Sequence, residues 1–372
     1  MSIGSLPGKC FFTMKAVALF LGISMGWATT ALAGNRLAGP ALSEPTDTTA
    51  EKMLAFQRSV GGWPKVVDNA KVDYRHRMST AELQAARRDD GRDDATIDNN
   101  ATTREINYLV GAFQQTGNPA YRAAAERGIR YLLQMQQPSG GFPQYFPDNR
   151  LYRAQITYND NAMVNALRVL QAVAEKKGGF ALVDPALVAP ARRAVSLGVQ
   201  CILKTQYVRR GQPTVWCAQH DRLTLLPCQA RAFELASLSG SESVGITEFL
   251  MSLDQPTPEV RRAVTAAIAW FEASKLENMT IKDVADSRQP KGRDRVMVSE
   301  PGSTVWARFY DLDTNQPIYV GRDSRKHAQL ADIEVERRTG YGYAGTWPEK
   351  LLTREYPKWQ QKWGHAASAA TN

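Results

Sequence analysis

The residues with the clearest chemical potential lie in two runs, Asp98-Asn99-Asn100-Ala101-Thr102 and Asn159-Asp160-Asn161-Ala162. Each sets acidic and amide side chains just ahead of apolar residues at helical spacing: Ile106, Leu109, Val110 and Phe113 after the first, Met163, Leu167 and Leu170 after the second. A single Asp or Asn at such a place is most simply an N-cap, whose oxygen accepts an orphan N–H of the first turn. One cap needs one residue, and each run offers three. Two acid-bearing helix starts built alike predict two carboxylates, Asp98 and Asp160, at the same end of a helical bundle. With Asn99, Asn100, Asn159 and Asn161 beside them they supply only oxygen donors, which suit Ca2+ far better than zinc. Two carboxylates leave most of a shell of about six to eight oxygens unfilled, so the count implies a weak site completed by water or an anionic ligand. His76, His220, His327 and His365 are scattered along the chain and read as structural or surface residues.

The elements that must position these groups are mostly helical. Helix periodicity or good helix formers run through 51–58, 102–115, 119–136, 162–176, 186–206, 257–276 and 348–363, with Gly and Pro at the connections. An internal echo joins them. Leu54-Ala55-Phe56-Gln57 leads to Gly61-Gly62-Trp63-Pro64, Leu133-Gln134-Met135-Gln136 to Gly140-Gly141-Phe142-Pro143, and Ile202-Leu203-Lys204-Thr205-Gln206, through a longer loop, to Trp216-Cys217. The aromatics recur roughly every 75 residues, room for a pair of helices and their loops. Repeats that bury apolar faces on one another predict a closed ring of helix pairs, with at least two of Trp63, Phe142 and Trp216 packed beneath their loops rather than touching substrate. The rhythm breaks near 296–323, where Arg295-Val296-Met297-Val298, Val305-Trp306-Ala307-Arg308-Phe309-Tyr310 and Pro317-Ile318-Tyr319-Val320 read as short strands between turns. Arg308 and Arg322 fall on or just after those strands; such arginines are commonly plain solvated surface charge, and their placement beside Tyr310 and Asp323 weighs toward held, oriented guanidinium groups.

Residues 1–33 read as a secretory signal: Lys9 and Lys15 precede an apolar run from Ala16 to Trp27, and Ala31-Leu32-Ala33 supplies a cleavage pattern ahead of Gly34. The apolar run is too short to span a bilayer, and no later segment is expected to cross one. Residues 34–48 are expected to be a loose leader, 49–365 a single catalytic domain and 366–372 a flexible tail. A net charge of +9 favours a polyanionic partner, nucleic acid or acidic polysaccharide. Export favours the polysaccharide, and a monomer is expected. Once Cys10 leaves with the signal, Cys201, Cys217 and Cys228 remain, so at most one intramolecular pair can form, with Cys217 joined to either of the others.

Asp98-Asn99-Asn100-Ala101-Thr102, Tyr158-Asn159-Asp160-Asn161-Ala162-Met163-Val164-Asn165, Val215-Trp216-Cys217-Ala218-Gln219-His220-Asp221, Ala230-Arg231-Ala232-Phe233-Glu234, and Trp306-Ala307-Arg308-Phe309-Tyr310 with Gly321-Arg322-Asp323, in that order, resemble the pectate lyases of polysaccharide lyase family 10. The likeness runs from about Lys52 to about Trp363. It implies a mainly α fold, an incomplete (α/α)3 toroid of helix pairs with a few short β-strands at one end. The implied activity is cleavage of polygalacturonate by calcium-assisted β-elimination, leaving unsaturated oligogalacturonides. In that reading Asp98, Asp160 and Asn161 hold Ca2+, Arg308 and Arg322 clamp uronate carboxylates, Lys65, Asn99 and Tyr310 contact substrate, and Arg231 is the Brønsted base. A guanidinium with a pKa above about 12 is almost never neutral, so the last role needs neighbouring cations. Lys65 is the understudy, because a desolvated lysine shifts its pKa more readily. Two other readings account for part of the pattern: an inverting hydrolase with Asp98 and Asp160 as acid and base, which leaves the arginines idle, and a secreted uronate-binding protein without catalysis. A conjugated product separates the lyase from the hydrolase, and unchanged polymer length would mark the binder.

Overall fold

Asp47 turns its carboxylate onto the N–H groups of Thr49 and Ala50, at 2.8 and 2.9 Å, and so starts helix α1 (Thr48–Phe56). The end of the expected leader is therefore a built cap. The computed structural model describes residues 46–148 and 150–364. The expected signal, most of the leader, Cys10, His365 and the tail lie outside the described residues.

Nine more helices follow: α2 (Thr80–Arg88), α3 (Thr103–Thr116), α4 (Pro119–Met135), α5 (Ala162–Ala174), α6 (Val188–Thr205), α7 (Glu242–Met251), α8 (Pro258–Ala273), α9 (Val335–Gly340) and α10 (Tyr356–Trp363). Helices α4 and α8 begin on proline behind the caps Asn118 and Thr257, and α3 ends at Gly117 with a φ of 73°. Short connections pair α3 with α4 and α7 with α8, and α5 lies along α6. Helices α3, α5 and α7 adjoin one another as an inner row, and α4, α6 and α8 as an outer row. Most residues of α5 and α7 are buried and none is exposed, as an inner position requires. Three pairs stand in an arc that does not close, where the repeat alone predicts a closed ring. Helix α6 with its preceding turn, Pro185–Thr205, is long and apolar enough by length and composition to cross a membrane, contrary to the expectation for the mature chain. Here it is an outer helix, with Ala191, Ala194, Gly198, Cys201 and Ile202 turned inward.

The repeat is fixed by side-chain clips. Gln57, Gln136 and Gln206, closing α1, α4 and α6, donate to a carbonyl of their own loop and to one of the outer helix that follows: Gly61 and Ala124 at 2.7 and 2.9 Å, Gly140 and Ala194 at 3.0 and 2.8 Å, Thr214 and Ala263 at 2.8 and 2.9 Å. Gly61 (φ 99°) and Gly140 (φ 86°) allow the loops this close: an added Cβ would come within 2.5 Å of the Arg127 carbonyl oxygen and 2.1 Å of that of Leu197. Trp63, Phe142 and Trp216 are fully buried beneath those loops.

Short strand pairs tie the loops together at one end: 156–157 with 219–220, 238–239 with 309–310, and 319–320 with 326–327. One hairpin is much longer than expected. Leu276–Ala285 pairs antiparallel with Arg293–Ala307, and Ala344–Gly345 adds a third strand. A second, smaller apolar cluster of Phe233, Phe309, Ile318, Tyr319, Val320, Leu330, Ile333 and Tyr343 sits under this annex. All three described cysteines are free thiols. Cys217 points its sulfur at the carbonyl oxygen of Cys228, 3.8 Å away, and Cys201 is sealed on the buried face of α6, so neither expected disulfide forms.

Candidate active site

The turns that begin the inner helices meet at one end of the ring, where Asp98–Asn100 touches Asn159–Asn161. Both turns hold non-glycine residues in the left-handed region: Asn99, Asn100 and Thr102 at φ 50°, 64° and 65°, Asp160 and Asn161 at 51° and 59°. Asn and Asp tolerate this conformation, whereas a β-branched residue does not adopt it freely. Thr102 is held there by its hydroxyl, which accepts from the Trp63 N–H at 2.9 Å and donates to the Thr96 carbonyl at 2.8 Å. The loop repeat thus pins the acid turn.

Asp98 is buried. Its Oδ2 accepts from Lys65 Nζ, while Oδ1 has no hydrogen-bond partner among the described residues. Burial pulls the Lys65 ammonium down, but the Asp98 bond and charge outweigh it and hold the pKa above its usual value. Asp160 is more open. Its Oδ2 accepts from Asn159 Nδ2 at 2.9 Å and its Oδ1 faces Arg308 Nη2 at 3.4 Å. Burial pushes its carboxyl up, Arg308 opposes this, and the charges of Glu242 and Asp98 add to the rise. Asn161 Oδ1 is buried, unpartnered and turned toward α7, where a Cβ on Gly245 would come within 2.0 Å of it. Among the described residues no three His, Cys, Asp or Glu side chains gather as a metal cluster. What does converge is a set of hard oxygens, with the orphaned Asp98 Oδ1 among them, which fits a weakly held divalent cation better than a tight one.

Arg308 lies across from these groups with its side chain only 10% exposed. Its Nη2 donates to Glu242 Oε1 and reaches Asp160, and its guanidinium lies 4.5 Å from the centre of the Tyr341 ring. Burial lowers its pKa, but Glu242, Tyr341 and Asp160 together more than reverse that and raise it. Glu242 is the functional group the sequence reading missed. It opens α7, the third inner helix, in the place that Asp98 and Asp160 hold before the first two.

Arg231 forms a side-on pair with Glu234, Nε to Oε2 at 2.7 Å with Nη2 on Oε1. That bond raises its pKa, so the guanidinium is firmly charged in this state. Phe233 and Tyr341 stand edge to face at 5.6 Å, and guanidinium groups surround them: Arg231 at 4.7 Å and Arg337 at 3.8 Å from Phe233, with Arg322 at 5.9 Å. Arg337 had no signal of its own in the sequence. Arg322 is exposed and paired with Glu336 at 3.1 Å, and Asn99 is exposed at the rim of its turn. Tyr310 is a correction. It is buried in the core, its hydroxyl donating to the Ser274 carbonyl at 2.8 Å and accepting from the Ala307 N–H at 2.9 Å, so it packs beneath the site and does not contact substrate.

His220 is structural, as expected. Its Nε2 accepts from the Cys217 N–H at 3.2 Å, and burial pushes its pKa down to about 4. The arrangement as a whole is an acidic floor faced by arginine forks, able to hold a hard cation and an anionic ligand together.

The pectic acid lyase family model matches residues 57–352. The family 10 polysaccharide lyase from Cellvibrio cellulosa is 35% identical and superposes with a TM-score of 0.73, over 85% of this chain and 92% of its own. An aspartate-to-alanine variant of that lyase, in complex with trigalacturonic acid, gives the same identity, coverage and TM-score. No curated protein matches the sequence.

Proposed function

We propose a mechanism from one premise: this chain belongs to the pectic acid lyase family and is a polysaccharide lyase of family 10. It is a pectate lyase, neither a hydrolase nor a binder without catalysis. The substrate in this reading is de-esterified polygalacturonate, because arginine forks select carboxylates over esters. The observation that carries the reading is the opposition of Asp98 and Asp160, with an unpartnered carboxylate oxygen, to the buried Arg308 fork.

The reaction removes the C5 proton of a galacturonate, forms the C4–C5 double bond, and breaks C4–O4, with the leaving oxygen taking a proton from water. The C5–H becomes acidic when the adjoining carboxylate is neutralised. Ca2+ held by Asp98, Asp160 and the Asn161 amide oxygen would supply part of that neutralisation. Arg308 and Arg322 supply the rest by taking uronate carboxylates, and Lys65 and Asn99 hold the neighbouring sugar. Arg231 is the proton acceptor in this scheme. Glu234 works against it in the free protein, and the cations gathered in the loaded site, Arg308 and Arg337 among them, work for it. Lys65 is the second candidate, and its bond to Asp98 holds it charged in the same way.

The test is the ultraviolet absorbance of the conjugated product during incubation with polygalacturonate, with Ca2+ and then with excess chelator. A rise that chelator abolishes supports the scheme; a rise that chelator leaves untouched removes calcium from it. If Arg231→Ala loses turnover with trigalacturonate binding retained, Arg231 is the base, and if Lys65→Ala shows that pattern instead, the role passes to Lys65. Export belongs to the same reading, since a polymeric uronide is met outside a membrane it does not cross. A mature N-terminus other than Gly34 would revise the signal.

A further inference from the structure

We infer that Glu242 is a positioning residue: it sets where the Arg308 fork points, and so governs uronate binding without touching the uronate. This rests on the reading of Arg308 as a carboxylate clamp. Three inner helices begin beside a carboxylate, but the third is used differently. Asp98 keeps Oδ1 unpartnered and the Asp160 side chain is 38% exposed, whereas the Glu242 side chain is 2% exposed and both its oxygens are occupied. Oε1 accepts from Arg308 Nη2, and Oε2 accepts from the Ser239 hydroxyl. That hydroxyl in turn accepts from the N–H groups of Glu242 and Ser241 at 3.0 and 3.3 Å, so the carboxylate is fixed to its own helix start.

The main chain of Arg308 is fixed to the same segment. Ser239 pairs with Phe309 in the short sheet, and the Gly240 N–H donates to the Arg308 carbonyl at 2.9 Å. The two backbones come so close at Gly240 that an added Cβ would meet the Ala307 carbonyl oxygen at 2.2 Å. Both ends of the arginine are therefore anchored on residues 238–242.

The use of Arg308's donors gives the anchor its purpose. Every side-chain bond it makes runs through Nη2, and Nε is buried without a partner. Glu242 takes one corner of the guanidinium and leaves another edge for a ligand. The links to Asp160 at 3.4 Å and to Asn159 Oδ1 at 3.5 Å are looser than the one to Glu242 and are the ones an incoming carboxylate or cation can replace. A carboxylate that served only to neutralise a buried arginine would need neither the serine brace nor the shared backbone segment.

The experiment is a double-mutant cycle on trigalacturonate binding, measured by calorimetry with Ca2+ present on wild type, E242Q, R308A and the pair together. Glu242→Gln keeps the shape and removes the charge. It is expected to weaken binding about tenfold in the Arg308 protein and by less than about twofold in the Arg308→Ala background. An equal loss in both backgrounds, or no loss at all, overturns the inference. If Arg308→Ala alone leaves binding unchanged, the clamp reading fails first and the inference falls with it, whereas a clamp that holds with an uncoupled Glu242 sinks the inference only. Should E242Q not fold, Ser239→Ala frees Oε2 alone, and its smaller loss must likewise depend on Arg308.

Discussion

Trp63-Pro64-Lys65 and Trp306-Ala307-Arg308 stand at matching places in the ring and hold their cations differently. In each, the indole N–H donates to a carbonyl near the end of a helix, Trp63 to Met53 of α1 at 2.7 Å and Trp306 to Phe271 of α8 at 2.8 Å, and a cation follows two residues on. Lys65 is 31% exposed and has one carboxylate partner; Arg308 is 10% exposed, shared between Glu242 and Asp160, with Tyr341 against its face. One scaffold position therefore carries a partly exposed point charge at one end of the site and a buried, oriented fork at the other. Coulomb interactions strengthen as water is excluded, and a planar fork recognises a carboxylate by shape as well as charge. Selectivity should reside at the Arg308 end and tolerance at the Lys65 end.

The strongest way to break that contrast is to truncate both cations. Arg308→Ala is expected to lower kcat/KM on polygalacturonate about a thousandfold and Lys65→Ala about tenfold; equal losses would erase the distinction. Arg308→Lys sharpens it further, with an expected loss of about a hundredfold, because an ammonium replaces a bidentate fork poorly. Steady-state rates on polymer and on trigalacturonate would show whether the loss sits in kcat or KM.

Between the two ends, the loop after Trp216 has Ala218 where the others have a cation, and His220 asks whether that loop tolerates a charge. Protonating His220 must break its acceptance from the Cys217 N–H. Its folded pKa of about 4 lies below the unfolded value, so the unfolded chain binds more protons in the interval between them. Stability is complete above pH about 6.5 and is lost as pH falls toward about 4, by about 3 kcal/mol in all. Urea unfolding across that range reads the slope, and a flat profile in its lower half would show the loop accepting the charge. The smallest expected effect is Gln136→Ala, which removes one clip remote from both cations. About 1–2 kcal/mol of stability should go, with turnover changed less than about twofold.

The helices that carry one apolar stripe were legible. Helices α3, α4 and α5 fall within two residues of their expected limits, because amphipathic spacing is a signal of partial burial. Helix α7 left no such signal, since Glu242 through Ile246 are all buried and a helix covered on every side has no stripe to read. Glu242 was hidden with it, although a third copy of the acid-before-helix pattern was there to be sought. The capping box of Ser79 and Glu82 would have announced α2. The meeting of the Asp98 and Asp160 turns was legible because both repeat one pattern, whereas the role proposed for Arg308 came from the family resemblance rather than from spacing. Tyr310 was misread because an aromatic beside a clamp looks the same in sequence whether it faces the cleft or the core. The pairing of Arg231 with Glu234 is three residues apart in the chain and still needed coordinates, since a loop has no fixed period to bring side chains together.

The clips at Gln57, Gln136 and Gln206 join each unit only to its successor. Linkage of that kind makes the ring a chain with two ends, so cooperativity passes between neighbours rather than across the whole. Amide exchange should then report graded protection along the row, weakest where a unit has one neighbour and strongest where it has two. Ancestry follows the same logic. A fold whose joints are all alike can gain or lose a unit by tandem duplication, and the acid at each new joint would be free to become a ligand, as proposed for the first two units, or a brace for an arginine, as proposed for the third.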